Sequence, residues 1–238
     1  MYLSFASINI LNNPYHHYAS PQKNSLYFCP VIKNDKYQAV IGLEVHAQLL
    51  TKSKLFCSDS TAFGGAPNTQ VSPVSLAHPG TLPVMNKQVI LHAVKLGIAM
   101  HCEIEQHNYF ARKNYFYPDL PKGYQVSQHT TPICKGGYLT IQTTDGEKNV
   151  KLNRIHMEED AGKSIHDIDE NYTCIDLNRA GMPLLEIVTE PDLHSADEIF
   201  YFYSRIQFCF SLQTDRNVCI AAHTSLFHIA IANANPSY

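Results

Sequence analysis

From Tyr37 to Leu50 the chain alternates: Ile41, Leu43, Val45, Ala47 and Leu49 are apolar, while Gly42, Glu44, His46 and Gln48 occupy the other parity. A period of two predicts a half-buried strand that sends Glu44 and His46 out of the same face, opposite the core. Residues 58–83 lose all periodicity and are rich in Ser, Pro, Gly and Asn, which predicts a long irregular loop. Asn86 can then cap a helix through Met100, with Val89, Ile90, Ala93, Val94 and Gly97 or Ile98 forming a stripe at helical spacing. Segments 138–143, 148–158 and 172–177 alternate again, and Asp145-Gly146 between the first two is a hairpin turn signal. Ser195 followed by Glu198 has the pattern of a capping box opening a helix through about Ile206. Strands that outnumber helices and lack regular βαβ alternation predict an α+β fold built on a mainly antiparallel sheet with flanking helices.

Composition narrows the classes without choosing one. The 238 residues are 45% hydrophobic and carry a formal charge of −3, enough apolar material for one sizeable core and no global basic footprint for nucleic acid. No apolar run reaches the roughly 18 residues of a spanning helix, so no membrane role is expected. The seven cysteines are scattered and include no CxxC pair, which fits reduced thiols in a cytoplasmic setting. Residues 1–36 show no signal-peptide pattern and are expected to form an unstructured extension.

Three clusters carry candidate chemistry. In His156-Met157-Glu158-Glu159-Asp160-Ala161-Gly162-Lys163, an imidazole, three carboxylates and an amine fall within eight residues. If the strand persists to Glu158, His156 and Glu158 share a face, and Glu44 and His46 on a neighbouring strand could complete the shell of a hard divalent ion such as Mg²⁺. A solvated acidic turn fits the same residues. Arg112-Lys113-Asn114-Tyr115-Phe116-Tyr117 sets two cations among aromatics, suited to phosphate and a stacked base, or equally to core tyrosines with solvated cations. Asp176 to Val188 places Asn178 and Arg179 before a Gly-Met-Pro break; Arg179 could hold a phosphate or carboxylate, and a polar turn accounts for the same pattern. No P-loop, dinucleotide fingerprint or nucleophile elbow is present.

Taken in order, Ile41-Gly42-Leu43-Glu44-Val45-His46, Arg112 to Lys122, His156 to Lys163 and Asp176 to Val188 resemble the B subunit of the aspartyl/glutamyl-tRNA(Asn/Gln) amidotransferase, from about Tyr37 to Leu212. The resemblance implies a cradle domain similar to glutamine synthetase catalytic domains over residues 37–212. It implies ATP and Mg²⁺ as cofactors, used to phosphorylate the side-chain carboxylate of Glu-tRNA(Gln) or Asp-tRNA(Asn) before amidation, with subunits A and C as partners in a heterotrimer. Carried over by position, Glu44, His46, Glu158 and Glu159 form the metal and phosphate shell. On the same carry-over, Arg112, Lys113, Asn114, Lys163, Asn178, Arg179 and Glu186 would line the nucleotide or aminoacyl pocket, and Glu158, Glu159 and Arg179 would be the catalytic residues.

Two departures from the family qualify that expectation. Where many members build a zinc site on paired cysteines, this chain keeps Cys57 and has Asp59, Ser72 and Ser75 at the other positions, so zinc is not expected. Residues 213–238 do not follow the family pattern, so this end is expected to be divergent, with the helical and tRNA-binding tail domains absent. An inactive truncated fragment, or a binding module for partner subunits or tRNA, is the alternative reading. The aromatic residues Phe200, Phe202, Phe208, Phe210 and Phe227 motivate the fragment reading, because they would lack a domain to cover them.

Overall fold

The computed structural model describes residues 37–212 and 225–233, with side chains described as far as Cys209. The expected extension 1–36 lies outside the described residues, as do 213–224, 234–238 and the side chains of Phe210 and Phe227. The chain runs β1 (Tyr37–Gln48), α1 (Lys87–Ala99), β2 (Glu103–Ile104), β3 (Ala111–Asn114), β4 (Tyr124–Ser127), β5 (Cys134–Lys135) and β6 (Tyr138–Thr143). It continues through β7 (Gly146–Glu159), β8 (Lys163–Ile165), β9 (Cys174–Asp176), β10 (Pro183–Thr189), α2 (Ala196–Leu212) and β11 (Ser225–Asn233). A seven-stranded sheet has the order β11-β1-β10-β7-β5-β2, with β6 folding back on the first half of β7. The β3–β4 and β8–β9 hairpins stand outside it, and every pairing is antiparallel. The fold is therefore α+β on a mainly antiparallel sheet, as the patterning predicts.

The alternation in β1 decides which sheet face is the core. Ile41, Leu43, Val45 and Ala47 are buried with Ile155, Met157, Leu185 and Ile187 of the neighbouring strands. Both helices close over this apolar core. Asn86 caps α1 by accepting from the backbone of Gln88 at 2.9 Å, and the helix buries Val89, Ala93, Leu96 and Gly97. A Cβ on Gly97 would lie 2.5 Å from Cys134 Sγ and 2.7 Å from Ile104 Cδ1, so only glycine lets α1 approach β5 and β2 this closely. Helix α2 opens on Ser195, whose Oγ accepts from Glu198 N at 3.2 Å, while Glu198 reaches back to His194 N at 2.7 Å. It buries Phe202 and Ile206 and leaves Phe200 and Phe208 on the exposed side.

The loop over 58–83 is irregular as expected, and polar side chains order it. Asp59 accepts from Ser75 Oγ at 2.6 Å, and Ser75 accepts from the Ser72 N–H at 2.9 Å. The fully buried Lys54 lies 3.9 Å from Asp59 and donates to the Gln70 carbonyl at 2.7 Å. The positions read as displaced zinc ligands thus meet in a hydrogen-bonded knot. No helix among the described residues is long and apolar enough to cross a membrane.

Candidate active site

The polar face of the sheet is a grid set by strand register. Pairing His46 with Glu186 and Glu186 with His156 forms one row across β1, β10 and β7. Two residues along, Gln48, Leu184 and Glu158 make a second row, and on the other side Glu44, Val188 and Arg154 make a third. Since side chains repeat every second residue, all nine leave the same face. His46 Nε2 lies 3.1 Å from Glu158 Oε1 and 3.2 Å from Glu186 Oε2. His156 Nε2 lies 3.4 Å from Glu158 Oε2 and 3.3 Å from Glu186 Oε2. Two carboxylates and two imidazoles therefore interlock on the sheet floor.

Above this floor is a cavity of about 750 Å³. Glu44, His46, Arg154, His156, Glu158 and Glu186 form its base; Arg112, Lys113, Gln125, Ser127 and Gln128 come from the β3–β4 hairpin region, and Asp160 and Arg179 from adjoining turns. The hairpin is clipped to the end of β7 at several points. Ser127 Oγ donates to Glu158 Oε2 at 3.2 Å, and Gln125 Nε2 donates to the Glu159 carbonyl at 2.9 Å. Gln128, 3% exposed, accepts from the backbone N–H groups of both Met157 and Ile133 at 3.1 Å. Arg112 lies over the Tyr124 ring, 5.6 Å from its centroid, which braces it along the wall.

Burial and pairing set the charges here. Burial alone would strip the proton from His46, but hydrogen bonds to Glu158 and Glu186 outweigh it and raise its pKa to about 10. The same contacts reverse the effect of burial on Glu158 and Glu186, holding both below the usual carboxylate range. Burial opposes a charge on His156, but hydrogen bonds to Glu158 and Glu186 outweigh it and raise its pKa; the geometry nevertheless leaves no room for a proton on Nδ1, which accepts from Arg154 Nε at 3.3 Å. We therefore assign His156 as the neutral ring protonated on Nε2. Asp160 is raised to about 6 by burial, against the opposing pull of Arg179, whose Nε is 3.5 Å away.

The donor set fits a divalent cation. One atom each from His46, Glu158 and Glu186 falls within 4.8 Å of the others, and both carboxylates are ionised. The His46 imidazolium supplies the positive charge between them. Hard oxygen donors with one imidazole and open cavity on the remaining side suit an ion that also carries water or phosphate.

Residues 39–219 match the family model described as the GatB/GatE catalytic domain. The chain belongs to that family. It is 55% identical over 172 residues to the B subunit of the aspartyl/glutamyl-tRNA(Asn/Gln) amidotransferase of Thermodesulfovibrio yellowstonii, covering 72% of this chain and 36% of the relative. It is 56% identical over 182 residues to the same-named protein of Salinibacter ruber, covering 73% and 36%. With that of Myxococcus xanthus it shares 59% over 162 residues, covering 68% and 34%. The chain thus spans about a third of the length of the curated relatives it matches.

Of the residues singled out in the sequence, Glu44, His46, Arg112, Lys113, Glu158, Arg179 and Glu186 line the one cavity. Glu186, read there as a pocket residue, lines the cavity and also belongs to the three-residue cluster suited to a metal ion. Glu159 does not join it. Next to Glu158 on β7, it leaves by the opposite face, where its carboxylate is ion-paired to Lys122 and accepts from Val126 N at 3.0 Å. Asn114, Lys163 and Asn178 do not line the cavity either. Asn178 is committed to the 58–83 loop, accepting from Gln70 N at 2.8 Å and donating to the Ala66 carbonyl at 2.7 Å, and Lys163 is exposed on β8. Arg179 does line the cavity but also clamps the acidic turn, donating to the carbonyls of Ala161 at 3.0 Å and Gly162 at 2.6 Å. Arg154 was missed, although its two-residue spacing from His156 on β7 was a usable signal. Ser127 and Gln128 were missed as well, and nothing in their local sequence announces them.

Proposed function

We propose that this chain is the catalytic part of a tRNA amidotransferase subunit that uses ATP and Mg²⁺ to activate the side-chain carboxylate of Glu-tRNA(Gln) or Asp-tRNA(Asn). The observation that carries the reading is the His46–Glu158–Glu186 cluster at the floor of a cavity whose walls hold Arg112, Lys113 and Arg179. The three cluster residues would hold a magnesium ion, which when bound neutralises the charge of a phosphoryl group in transfer. Arg112 and Lys113, braced by the β3–β4 hairpin, would take the phosphate oxygens on the facing side. Arg179 would take the carboxylate or the transferred phosphoryl group, its fork already oriented by the turn it clamps. Such a site needs no nucleophile from the protein, because the substrate carboxylate oxygen attacks the γ-phosphorus as ADP leaves, and the site's task is to place cations against the accumulating negative charge. A glutamine synthetase-like cradle, subunits A and C as the source and clamp of the ammonia-supplying assembly, and a cytoplasmic setting complete the proposal.

Isothermal titration of the chain with ATP in the presence of Mg²⁺ tests it. Affinity is expected to fall at least tenfold in both His46→Ala and Glu158→Ala. Unchanged affinity in both variants removes the proposal and leaves a binding module without nucleotide chemistry.

A further inference from the structure

The cluster that would bind the cation has a support that the reaction itself does not require. Glu158 spends Oε1 on His46 and Oε2 on His156 and Ser127, while Glu186 Oε2 receives both imidazoles. Left alone, two adjacent carboxylates on neighbouring strands repel each other and swing apart. His46 spans them at the cavity side, and His156, 3% exposed, is the second imidazole that spans them, which it can do only with a proton on Nε2. What decides that tautomer is the atom facing Nδ1. That atom is Nε of Arg154, 3.3 Å away, with the guanidinium held from its other end by the Asn153 side chain, which accepts from Nη1 at 3.1 Å. Asn153 is in turn tied to Glu190, donating to Oε1 at 2.8 Å.

We propose that Arg154 is a positioning residue for the cation site: its Nε–H fixes the His156 proton on Nε2, where it bridges Glu158 and Glu186 and holds both carboxylates toward His46. The proposal rests on the reading of His46, Glu158 and Glu186 as cation ligands. Arg154 acts at one remove, so its loss disperses the ligands without deleting any of them. Outer partners that orient metal-binding side chains are typically worth about 10- to 100-fold in affinity.

The test uses the full chain with ¹⁵N-labelled histidine and Mn²⁺ as the probe. Long-range ¹H–¹⁵N correlation spectra of the metal-free wild type are expected to show His156 with its proton on Nε2. In Arg154→Met the Nδ1-protonated form or a mixture of the two appears, and the Mn²⁺ dissociation constant measured by electron paramagnetic resonance rises at least tenfold. Arg154→Lys, which keeps a cationic donor, recovers most of that affinity. Thermal melts separate these effects from loss of fold, which would move stability without moving the tautomer. Wild-type His156 protonated on Nδ1 overturns the proposal even if Arg154→Met does not fold. Wild-type affinity retained by Arg154→Met overturns it while leaving the cation site standing. Absence of Mn²⁺ binding by the wild type overturns the site reading and this inference together.

Discussion

Glu159 separates the two roles that adjacent carboxylates play at the end of β7. Its side chain is 2% exposed and ion-paired to Lys122, itself 15% exposed, while Oε1 accepts from the Val126 N–H. Glu159→Ala leaves a mostly buried ammonium without its partner and frees a backbone donor, a loss of about 3–5 kcal/mol for buried pairs. The residual exposure of Lys122 lets water recover part of this, so about 3 kcal/mol is expected, or roughly 6–12 °C in melting temperature for a domain of this size. Because the damage comes from the orphaned charge, adding Lys122→Met to Glu159→Ala should restore about 1 kcal/mol or more. The His46–Glu158–Glu186 cluster lies on the opposite strand face and should be untouched. Urea unfolding of the single and double variants reads the first effect, and Mg²⁺ titration of the folded proteins reads the second. A Glu159→Ala protein that loses less than about 1 kcal/mol, while its Mg²⁺ affinity drops tenfold or more, would instead place Glu159 in the metal shell.

Two further outcomes follow from the same geometry. His46 has a pKa raised from 6.5 to about 10, so it contributes stability that is complete below pH 6.5 and disappears as pH rises through about 10. At about 1.4 kcal/mol per unit, metal-free protein should lose on the order of 2–5 kcal/mol over that window, a slope that urea titrations should find missing in His46→Gln and weakened by saturating Mg²⁺. Asn178→Ala cuts two hydrogen bonds to the 58–83 loop, worth about 1 kcal/mol each. Amide exchange at residues 66–72 should accelerate while Mg²⁺ affinity stays within twofold, and a tenfold affinity loss without faster exchange would contradict that role.

Periodicity made much of this legible. The alternation through β1 aimed Glu44 and His46 away from the core, and the same parity in β7 joined His156 to Glu158. It could not show that β10 lies between these strands, so Glu186 read as a pocket residue although register sets it directly between His46 and His156. The run Glu158-Glu159-Asp160 looks like one acidic cluster in sequence, whereas a pleated strand divides it between faces. β2 and β5, two residues each, are too short to carry any period, and β3 and β4 are recognisable only through their pairing with each other. Asn178 lost its expected place in the cavity because its partners Ala66 and Gln70 lie more than a hundred residues away, a contact no local pattern encodes.

On the proposed function, His46, Glu158 and Glu186 share one divalent cation. Electron spin-echo spectroscopy of the Mn²⁺-loaded chain tests it most directly, because a coordinated imidazole imprints a ¹⁴N coupling on the metal signal. One Mn²⁺ per chain is expected, with a ¹⁴N coupling that vanishes in His46→Ala and binding that collapses in Glu186→Gln. Tight binding without ¹⁴N coupling, or a coupling that survives in His46→Ala, would mean that His46 does not ligate the ion.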